Sequence, residues 1–352
     1  MKISNQRLSA IDLFCGIGGL SFGLIKSGIK VLAGVDSNSS CKYAFEENVK
    51  GKFIDSDITD VNPQELKNNF WDNNDVKILV GCAPCQPFST LTNNVKDKEQ
   101  SERWGLLNVF IKIIEKTNPT IVSMENVTNL SNKQIFTDFV IRLRELGYFV
   151  SFQNVFCPDY GLAQKRKRLV LLASMHGKIK LIPATHKKEN YKTVKDAIGH
   201  LPKIKAGEVS KSDPLHRATS LSDINLKRIK ASKPNGTWKD WSEDLLLECH
   251  KKSSGQSYKS VYGRISWDHP SPTITTQFYN YGTGRFGHPS QDRALTVREA
   301  SILQSFPENY KFYDKESDIF ISRMGTHIGN AVPVRLGEVI GKSIVQHIKE
   351  HI

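Results

Sequence analysis

The sequence has no apolar run long enough to cross a membrane, which excludes proteins anchored by a transmembrane helix. Its first ten residues, MKISNQRLSA, also lack the apolar core of a secretory signal peptide. We therefore expect a cytoplasmic protein without a membrane partner. Hydrophobic residues make up 39% of the 352 positions, so the chain can bury a sizeable core, and its length favours two domains.

Cysteine is scarce and is not spaced as a disulfide framework, which excludes a small secreted scaffold held by disulfides. Cys82 and Cys85 form a C-x-x-C pair, but there is no second C-x-x-C pair to complete a structural zinc site. The residues QPFS after the pair start a helix poorly, whereas a thioredoxin-like redox pair opens one. We predict free thiols and no metal site. The six cysteines are Cys15, Cys41, Cys82, Cys85, Cys157 and Cys249.

Acidic residues are outnumbered by basic ones, with 36 Asp and Glu against 49 Lys and Arg. The resulting net charge of +13 favours a polyanionic partner such as nucleic acid. The excess is concentrated between Leu162 and Lys205, where twelve basic residues stand against Glu189 and Asp196.

Apolar segments with strand-like and helix-like periodicity alternate over about 170 residues, a pattern typical of a doubly wound parallel α/β sheet. Near Pro183 the chain becomes polar, basic and rich in glycine and aromatic residues, so we predict a second, smaller domain over 184–305. We interpret 306–319 as a hinge and expect 320–352, which regains helical periodicity, to complete the first domain of 1–183. The predicted strands are 10–14, 31–35, 76–80, 120–124, 149–156 and 169–173, and the predicted helices are 21–27, 105–116, 134–146 and 333–348.

A glycine-rich turn, CGIGGL, lies between the first predicted strand and helix. Gly16, Gly18 and Gly19 let the backbone approach a ligand closely, as nucleotide-binding turns do at the entry to such a sheet. The spacing lacks the third glycine of the dinucleotide fingerprint, which disfavours a dehydrogenase. The turn alone does not distinguish a nicotinamide nucleotide from S-adenosylmethionine. Asp36, at the end of the next predicted strand, is placed to bind ribose hydroxyls in either case.

Chemically reactive side chains follow the ends of other predicted strands. Cys85 stands after strand 76–80 in a turn with proline on both sides, where an α/β protein can hold a nucleophile. Glu125 directly follows the predicted strand 120–124, and strand ends converge on one edge of an open sheet, so this carboxylate could reach the thiol. Further along, Gln164, Arg166 and Arg168 occupy alternating positions and hence one face of the chain entering a strand.

Nine motifs in order resemble those of DNA (cytosine-5)-methyltransferases of the bacterial restriction–modification type, over nearly the whole chain. They are DLFCGIGGLSFG, GVDSN, SDI, GCAPCQPFS, MENV, QKRKRL, RISWDHPSPTITT, LTVREASILQSFP and GNAVPV. The resemblance implies a Rossmann-like, S-adenosylmethionine-dependent methyltransferase fold, with the second domain as the target-recognition domain. It also implies transfer of a methyl group to carbon 5 of a flipped-out cytosine through a covalent adduct with the catalytic cysteine.

The resemblance assigns roles to individual residues. Cys85 would be the nucleophile, with Glu125, Arg166 and Arg168 around the flipped cytosine. In the cofactor site, Phe14 would stack on the adenine, Asp36 would bind the ribose and Asp57 the adenine amino group. S-adenosyl-L-homocysteine would be the product. The full predicted cofactor set is Asp12, Phe14, Gly16, Gly18, Gly19, Asp36, Asp57, Ile58, Pro84, Leu107, Asn330 and Val332.

Double-stranded DNA is the implied partner, with a cognate restriction endonuclease acting on the same site, and we expect a DNA-associated monomer. We interpret the polar stretch between Ser89 and Gly105 as a mobile loop that closes over the flipped base. Basic and aromatic residues interleave in KPNGTWKDW and SYKSVYGR, which favours DNA reading there. The predicted DNA-binding residues are Gln86, Ser89, Gln164, Lys233, Trp238, Lys239, Tyr258, Lys259 and Arg264.

Two other functions share parts of this pattern. A tRNA cytosine-5 methyltransferase would use the same catalytic residues, but the long second domain favours DNA. A non-catalytic DNA-binding homologue would be expected to lose Cys85 or Glu125, and both are present.

Overall fold

A computed structural model describes residues 7–84, 98–314 and 319–352, with the backbone alone at 98–104 and at 254. The chain divides into two compact units. The first comprises Met1–Tyr160, Lys167–Thr185 and Ala331–Ile352, and the second comprises Gly161–Arg166 and His186–Asn330. In the part of the chain that is described, no helix is long and apolar enough to span a bilayer.

The unit boundary at Thr185 lies within two residues of the predicted boundary at 183. Residues 306–330, predicted to be a hinge and the start of the closing segment, instead group with the second unit. One reason is the amide of Gln304, which donates to the carbonyl of Ile328 at 2.7 Å and ties two helices of that unit together. The catalytic and target-recognition roles assigned to the two units stay predictions.

A seven-stranded sheet forms the centre of the first unit, in the order β3-β2-β1-β4-β5-β7-β6. The pairs among β1 to β5 are parallel, whereas β7 runs antiparallel to both β5 and β6. The α/β prediction is confirmed, but the sheet is mixed, because β6 and β7 follow each other without the helical crossover that a parallel pair requires. The strands are β1 Arg7–Leu13, β2 Lys30–Asp36, β3 Lys52–Asp55, β4 Asp75–Gly81, β5 Ile121–Asn126, β6 Phe149–Phe156 and β7 Lys167–Ser174.

Apolar strand residues and three helices build the main core of this unit. Leu79 in β4, Val122 in β5 and Leu171 in β7 are fully buried, as fits strands covered on both faces. Helices α3, α4 and α5 add buried side chains to the same core, and α1 packs against α11. The helices of the first unit are α1 Gly19–Lys26, α2 Lys42–Val49, α3 Pro63–Phe70, α4 Lys98–Thr117, α5 Gln134–Glu145 and α11 Val334–His351.

Helix α4 begins seven residues before the predicted helix, at Lys98 rather than Gly105. The sequence KEQSERW is polar but contains good helix formers, so its polarity is compatible with a helix and does not by itself indicate a loop. The predicted mobile loop is therefore wrong over 98–104. Its remaining residues, 90–97, lie outside the described part of the chain.

The second unit has short helices joined by irregular segments, stabilised by buried polar contacts. Arg293 and Glu299 are both almost fully buried and form two charge-assisted hydrogen bonds of 2.8 and 2.7 Å. Burial alone would raise the pKa of Glu299, but the hydrogen bonds from Arg293 outweigh it and lower that pKa to about 2. The helices of this unit are α6 Val194–Ile198, α7 Asp223–Ala231, α8 Glu248–Lys251, α9 Val297–Leu303 and α10 Ile321–Asn330.

Candidate active site

The glycine-rich turn lies between the carboxyl end of β1 and the start of α1, as predicted. Gly16 and Gly18 have φ angles of 50° and 84°, in the left-handed region that glycine adopts without strain. A Cβ atom built on Gly16 would meet no other atom within 4 Å, so the space beside the turn is open. The turn is therefore shaped to receive a ligand close to its backbone.

Asp36, at the end of β2, fixes this turn from the neighbouring strand. Its Oδ2 accepts a hydrogen bond from the backbone N–H of Gly16 at 2.8 Å, and its Oδ1 accepts one from Asn38 at 2.9 Å. Burial raises the pKa of Asp36, while the two backbone donors act in the opposite direction. Asp36 thus has a structural role in the turn that sequence reasoning did not predict, and its ribose contact stays a prediction.

Asp12 is buried beneath the turn near the end of β1. Its Oδ2 accepts a hydrogen bond of 2.6 Å from the hydroxyl of Ser21 in α1, which sequence reasoning missed. Its Oδ1 is buried and has no hydrogen-bond partner among the described residues. Burial raises the pKa of Asp12 to about 7, against the opposing effect of Ser21.

The other predicted cofactor residues differ in exposure. Asp57 is exposed, and its Oδ1 accepts hydrogen bonds from the backbone and hydroxyl of Thr59, which lower its pKa. Pro84 is exposed just after β4, and Phe14 is half-buried at the glycine-rich turn. The remaining aliphatic members are buried at 4 to 6% exposure, namely Ile58, Leu107 and Val332. Asn330, an exposed residue at the end of α10, belongs to the second unit.

Glu125 is the buried carboxylate of the candidate catalytic site, 2% exposed near the end of β5. The Nε atom of Arg168, in the neighbouring strand β7, lies 3.0 Å from its Oε1. The thiol of Cys82 donates a hydrogen bond to its Oε2 at 2.8 Å. A carboxylate this deeply buried requires such partners, because desolvation of an isolated charge is costly. The structure therefore brings Glu125 and Arg168 together as predicted, and adds Cys82.

Sequence reasoning assigned Cys82 no part in the site, yet its thiol bonds to Glu125. Only the register of the two strands would have identified it, because Gly81 pairs with Met124 in the parallel pair of β4 and β5. The residues that follow this pair are Cys82, directly after β4, and Glu125 in β5. Register of this kind depends on the three-dimensional packing of the strands and cannot be calculated from either segment alone.

Three predicted functional residues lie outside the described part of the chain: Cys85, Gln86 and Ser89. Arg166 is described and belongs to the second unit, where it is 3% exposed and donates to the carbonyl of Ile274 at 3.3 Å. The two arginines of the QKRKRL motif, Arg166 and Arg168, are thus divided between the units.

Three of the predicted DNA-binding residues are buried, and their DNA contacts stay predictions. Gln164 is fully buried, with its amide bonded to Leu303, Gln304 and Ile274 within the second unit. Trp238 is 3% exposed and donates its indole N–H to the carbonyl of Tyr258 at 2.9 Å.

Arg264 is the third of these residues. It is 6% exposed and its guanidinium donates to three backbone carbonyls, at Ile229, His288 and Gln291. These three side chains stabilise the second unit instead of presenting polar groups at its surface. The other candidates there, Lys233, Lys239, Tyr258 and Lys259, are exposed.

The sequence also contains one H-x-x-x-H spacing, at His347 and His351, that sequence reasoning missed. The two rings stack with centroids 4.4 Å apart, and His347 Nε2 lies 2.7 Å from the hydroxyl of Ser174. Within residues 7–84, 98–314 and 319–352, no group of three His, Cys, Asp or Glu side chains is arranged to hold a metal ion.

The sheet, the glycine-rich turn and the strand-end carboxylates define a Rossmann-like methyltransferase fold. Among solved structures, an Escherichia coli prophage protein described as a DNA modification methyltransferase has a TM-score of 0.75 at 21% identity, covering 97% of this chain and 99% of its own. The Entamoeba histolytica methyltransferase EhMeth has a TM-score of 0.69 at 15% identity, covering 98% of this chain and 99% of its own. At these identities the likeness establishes the fold alone.

Sequence comparison establishes the family. The model of the C-5 cytosine-specific DNA methylase family matches residues 8–346. The Type II methylase M.HgiDII of Herpetosiphon aurantiacus is 51% identical over 344 residues, covering 97% of this chain and 96% of the relative. The Type II methyltransferase M.Eco47II of Escherichia coli is 31% identical over 371 residues. This match covers 100% of this chain and 82% of the relative. The chain belongs to the C-5 cytosine-specific DNA methylase family, and it is an S-adenosylmethionine-dependent methyltransferase of the Type II restriction–modification kind.

Proposed function

We propose that this enzyme methylates carbon 5 of a flipped-out cytosine in duplex DNA through a covalent bond between Cys85 and carbon 6 of the base. The observation that carries the proposal is the arrangement around Glu125, a buried carboxylate with Arg168 3.0 Å from one oxygen and Cys82 2.8 Å from the other. Cys85 follows three residues after Cys82 in the sequence. A buried acid beside a reactive thiol is what addition to a pyrimidine ring requires.

The residues around the glycine-rich turn fit S-adenosylmethionine as the methyl donor. The space beside Gly16 is open, and the buried Oδ1 of Asp12 has no hydrogen-bond partner among the described residues. We infer that Asp12, Phe14, Gly16, Asp36 and Asp57 hold the nucleoside and amino-acid parts of this molecule. When bound, it supplies an electrophilic methyl group on its sulfonium.

The chain's own residues would prepare the base for methylation. Carbon 5 of cytosine is too weakly nucleophilic to be methylated directly. Addition of the Cys85 thiolate to carbon 6 forms a carbon–sulfur bond and moves an electron pair toward carbon 5. Glu125 would donate a hydrogen bond to ring nitrogen 3, which withdraws charge as the thiolate adds, and Arg168 would hold Glu125 in place. Loss of the proton from carbon 5 and cleavage of the carbon–sulfur bond then restore the aromatic ring and the thiolate.

This chemistry requires the base to leave the duplex, because neither ring face is accessible while the base is stacked. Exposed basic and aromatic side chains of the second unit support DNA binding there, among them Lys239, Lys259 and Tyr258, which is 61% exposed. By analogy with the Type II relatives, we propose that a restriction endonuclease recognises the same DNA sequence.

The proposal is tested by mapping 5-methylcytosine in the DNA of a host that lacks its own cytosine methyltransferases and expresses this chain. We expect methylation at one short sequence, and transfer of labelled methyl groups from S-adenosylmethionine to a duplex containing it. The Cys85→Ser variant should bind the duplex and transfer no methyl groups. Transfer to tRNA in preference to duplex DNA, or full activity of the variant, would overturn the proposal.

A further inference from the structure

Two side-chain hydrogen bonds connect the segment that follows β4 to the end of β5, and each segment donates one of them. Cys82 donates its thiol to Glu125 Oε2 at 2.8 Å, and Asn126 donates its side-chain amide to the carbonyl of Ala83 at 3.1 Å. The backbone N–H of Cys82 also donates to the carbonyl of Leu13 in β1, at 3.3 Å. Cys82 is therefore held on both sides, by β1 through its backbone and by β5 through its side chain.

The two oxygens of Glu125 are contacted by different groups. Arg168 Nε lies 3.0 Å from Oε1, and the Cys82 thiol lies 2.8 Å from Oε2. Arg168 alone would leave the carboxylate free to rotate about its terminal torsion, which is a soft one. A second contact, from the segment that follows β4, fixes the plane of the carboxylate.

We propose that Cys82 is a positioning residue, whose thiol orients the Glu125 carboxylate for its hydrogen bond to the cytosine ring. This inference rests on the function proposed above, because it assumes that Glu125 contacts the base. A thiol is a weak, uncharged hydrogen-bond donor, so it can fix the orientation of Glu125 without favouring the ionised form as a second arginine would, and Glu125 can still carry the proton that it donates to the ring.

The test compares three variants of the full chain, Cys82→Ala, Cys82→Val and Cys82→Ser, in single-turnover methylation of a duplex carrying the mapped site. Alanine and valine remove the donor, and valine also keeps most of the side-chain volume. We expect both to lower the single-turnover rate about tenfold, with dissociation constants for the duplex and for S-adenosylmethionine changed less than about twofold. Serine keeps a donor, so its rate should return to within about threefold of the wild-type rate.

Cys157→Ala is the matched control, since it removes another buried thiol of the first unit. Its single-turnover rate should stay within about twofold of the wild type, because Cys157 is not among the residues assigned to the site. Thermal unfolding of every variant would be recorded, so that loss of folded protein is not counted as a loss of rate.

Two outcomes would overturn the positioning role: a wild-type rate in Cys82→Ala, or an equal loss in Cys82→Ser and Cys82→Val. In the second case the volume or shape of the residue matters and not its donor. Glu125→Ala separates the two proposals. Loss of transfer in this variant supports the proposed role of Glu125 whatever the Cys82 variants show, whereas a wild-type rate would refute that role.

Discussion

At the scale of single residues, the site depends on carboxylates that the fold buries and supplies with partners. Glu125 and Asp12 are both almost fully buried, yet their surroundings differ. Glu125 lies 3.0 Å from the guanidinium of Arg168, whereas among the described residues Asp12 accepts a side-chain hydrogen bond only from the Ser21 hydroxyl and lies near a second carboxylate, Asp36. Burial without a cationic partner favours the neutral form of Asp12.

The pKa of Asp12, raised by burial to about 7, makes the stability of the chain depend on pH. In the unfolded chain this group ionises near pH 4, so between about pH 4 and pH 7 the folded state binds more protons and its stability falls as pH rises. The Asp12→Asn variant keeps an acceptor for Ser21 and removes the titration. We expect its free energy of unfolding to decline less between pH 5 and pH 8 than that of the wild type, by roughly 2–4 kcal/mol.

Urea unfolding of the ligand-free chain at several pH values measures this difference. Asp57→Asn is the control, because Asp57 is exposed and its pKa is lowered by Thr59 below the tested range. If the free energy of unfolding changed equally with pH in Asp12→Asn and in the wild type, the raised pKa of Asp12 would be contradicted.

Sequence reasoning identified Glu125, Arg168 and the glycine-rich turn because each lies in a local motif next to a strand end. It missed Ser21 and Cys82, whose partners are nine and 43 positions away in the chain. It did not predict the burial of Gln164 and Arg264, since a polar side chain in a basic segment looks the same in sequence whether it faces solvent or bonds buried carbonyls. Burial of polar groups is determined by packing and not by local composition.

At the scale of elements, two helices approach so closely that only glycine fits between them. A Cβ atom on Gly23 of α1 would lie 2.5 Å from backbone atoms of α11, at Val334 and Glu338. Backbone atoms cannot move aside as a flexible side chain can, so α1 would be displaced, together with the turn that precedes it.

We expect Gly23→Ala to lower the free energy of unfolding by about 1–3 kcal/mol, because the added methyl group overpacks this contact. Gly105→Ala in α4 is the matched control. A Cβ atom there meets nothing within 4 Å, and alanine is the better helix former by about 0.5–1 kcal/mol. Denaturant titration measures the free energy of unfolding of both variants. A Gly23→Ala variant as stable as Gly105→Ala would show that α1 and α11 tolerate separation.

The alternation of strands and helices was predictable because each element carries its own periodicity. The position of β7 between β5 and β6 was not, because strand order is determined by how the elements pack. Likewise, the polar residues of 98–104 carry no apolar face that would have indicated a helix.

At the scale of the whole molecule, the net charge of +13 predicts DNA binding that weakens steeply with salt. Each lysine that contacts a phosphate contributes roughly 0.9 to the slope of the logarithm of the binding constant against the logarithm of salt concentration. We expect Lys239→Ala and Lys259→Ala, exposed residues of the second unit, to reduce the magnitude of the slope by about 1 each.

Fluorescence anisotropy with a labelled duplex between about 50 and 200 mM salt provides the slopes. Lys349→Ala is the control, because this exposed residue lies in α11 of the first unit and changes the net charge equally. Equal slopes for all three variants would show that binding responds to overall charge and not to these positions.

The central claim, a covalent bond between Cys85 and the target base, is tested most directly by trapping that bond. A duplex with 5-fluorocytosine at the mapped position would be incubated with the enzyme and S-adenosylmethionine, since fluorine at carbon 5 cannot leave as a proton does. We predict a protein–DNA adduct that survives denaturation, has the combined mass of protein, duplex strand and one methyl group, and is absent in Cys85→Ser. Methylation of the normal duplex without any adduct on the fluorinated one, or an adduct formed by Cys85→Ser, would contradict the account.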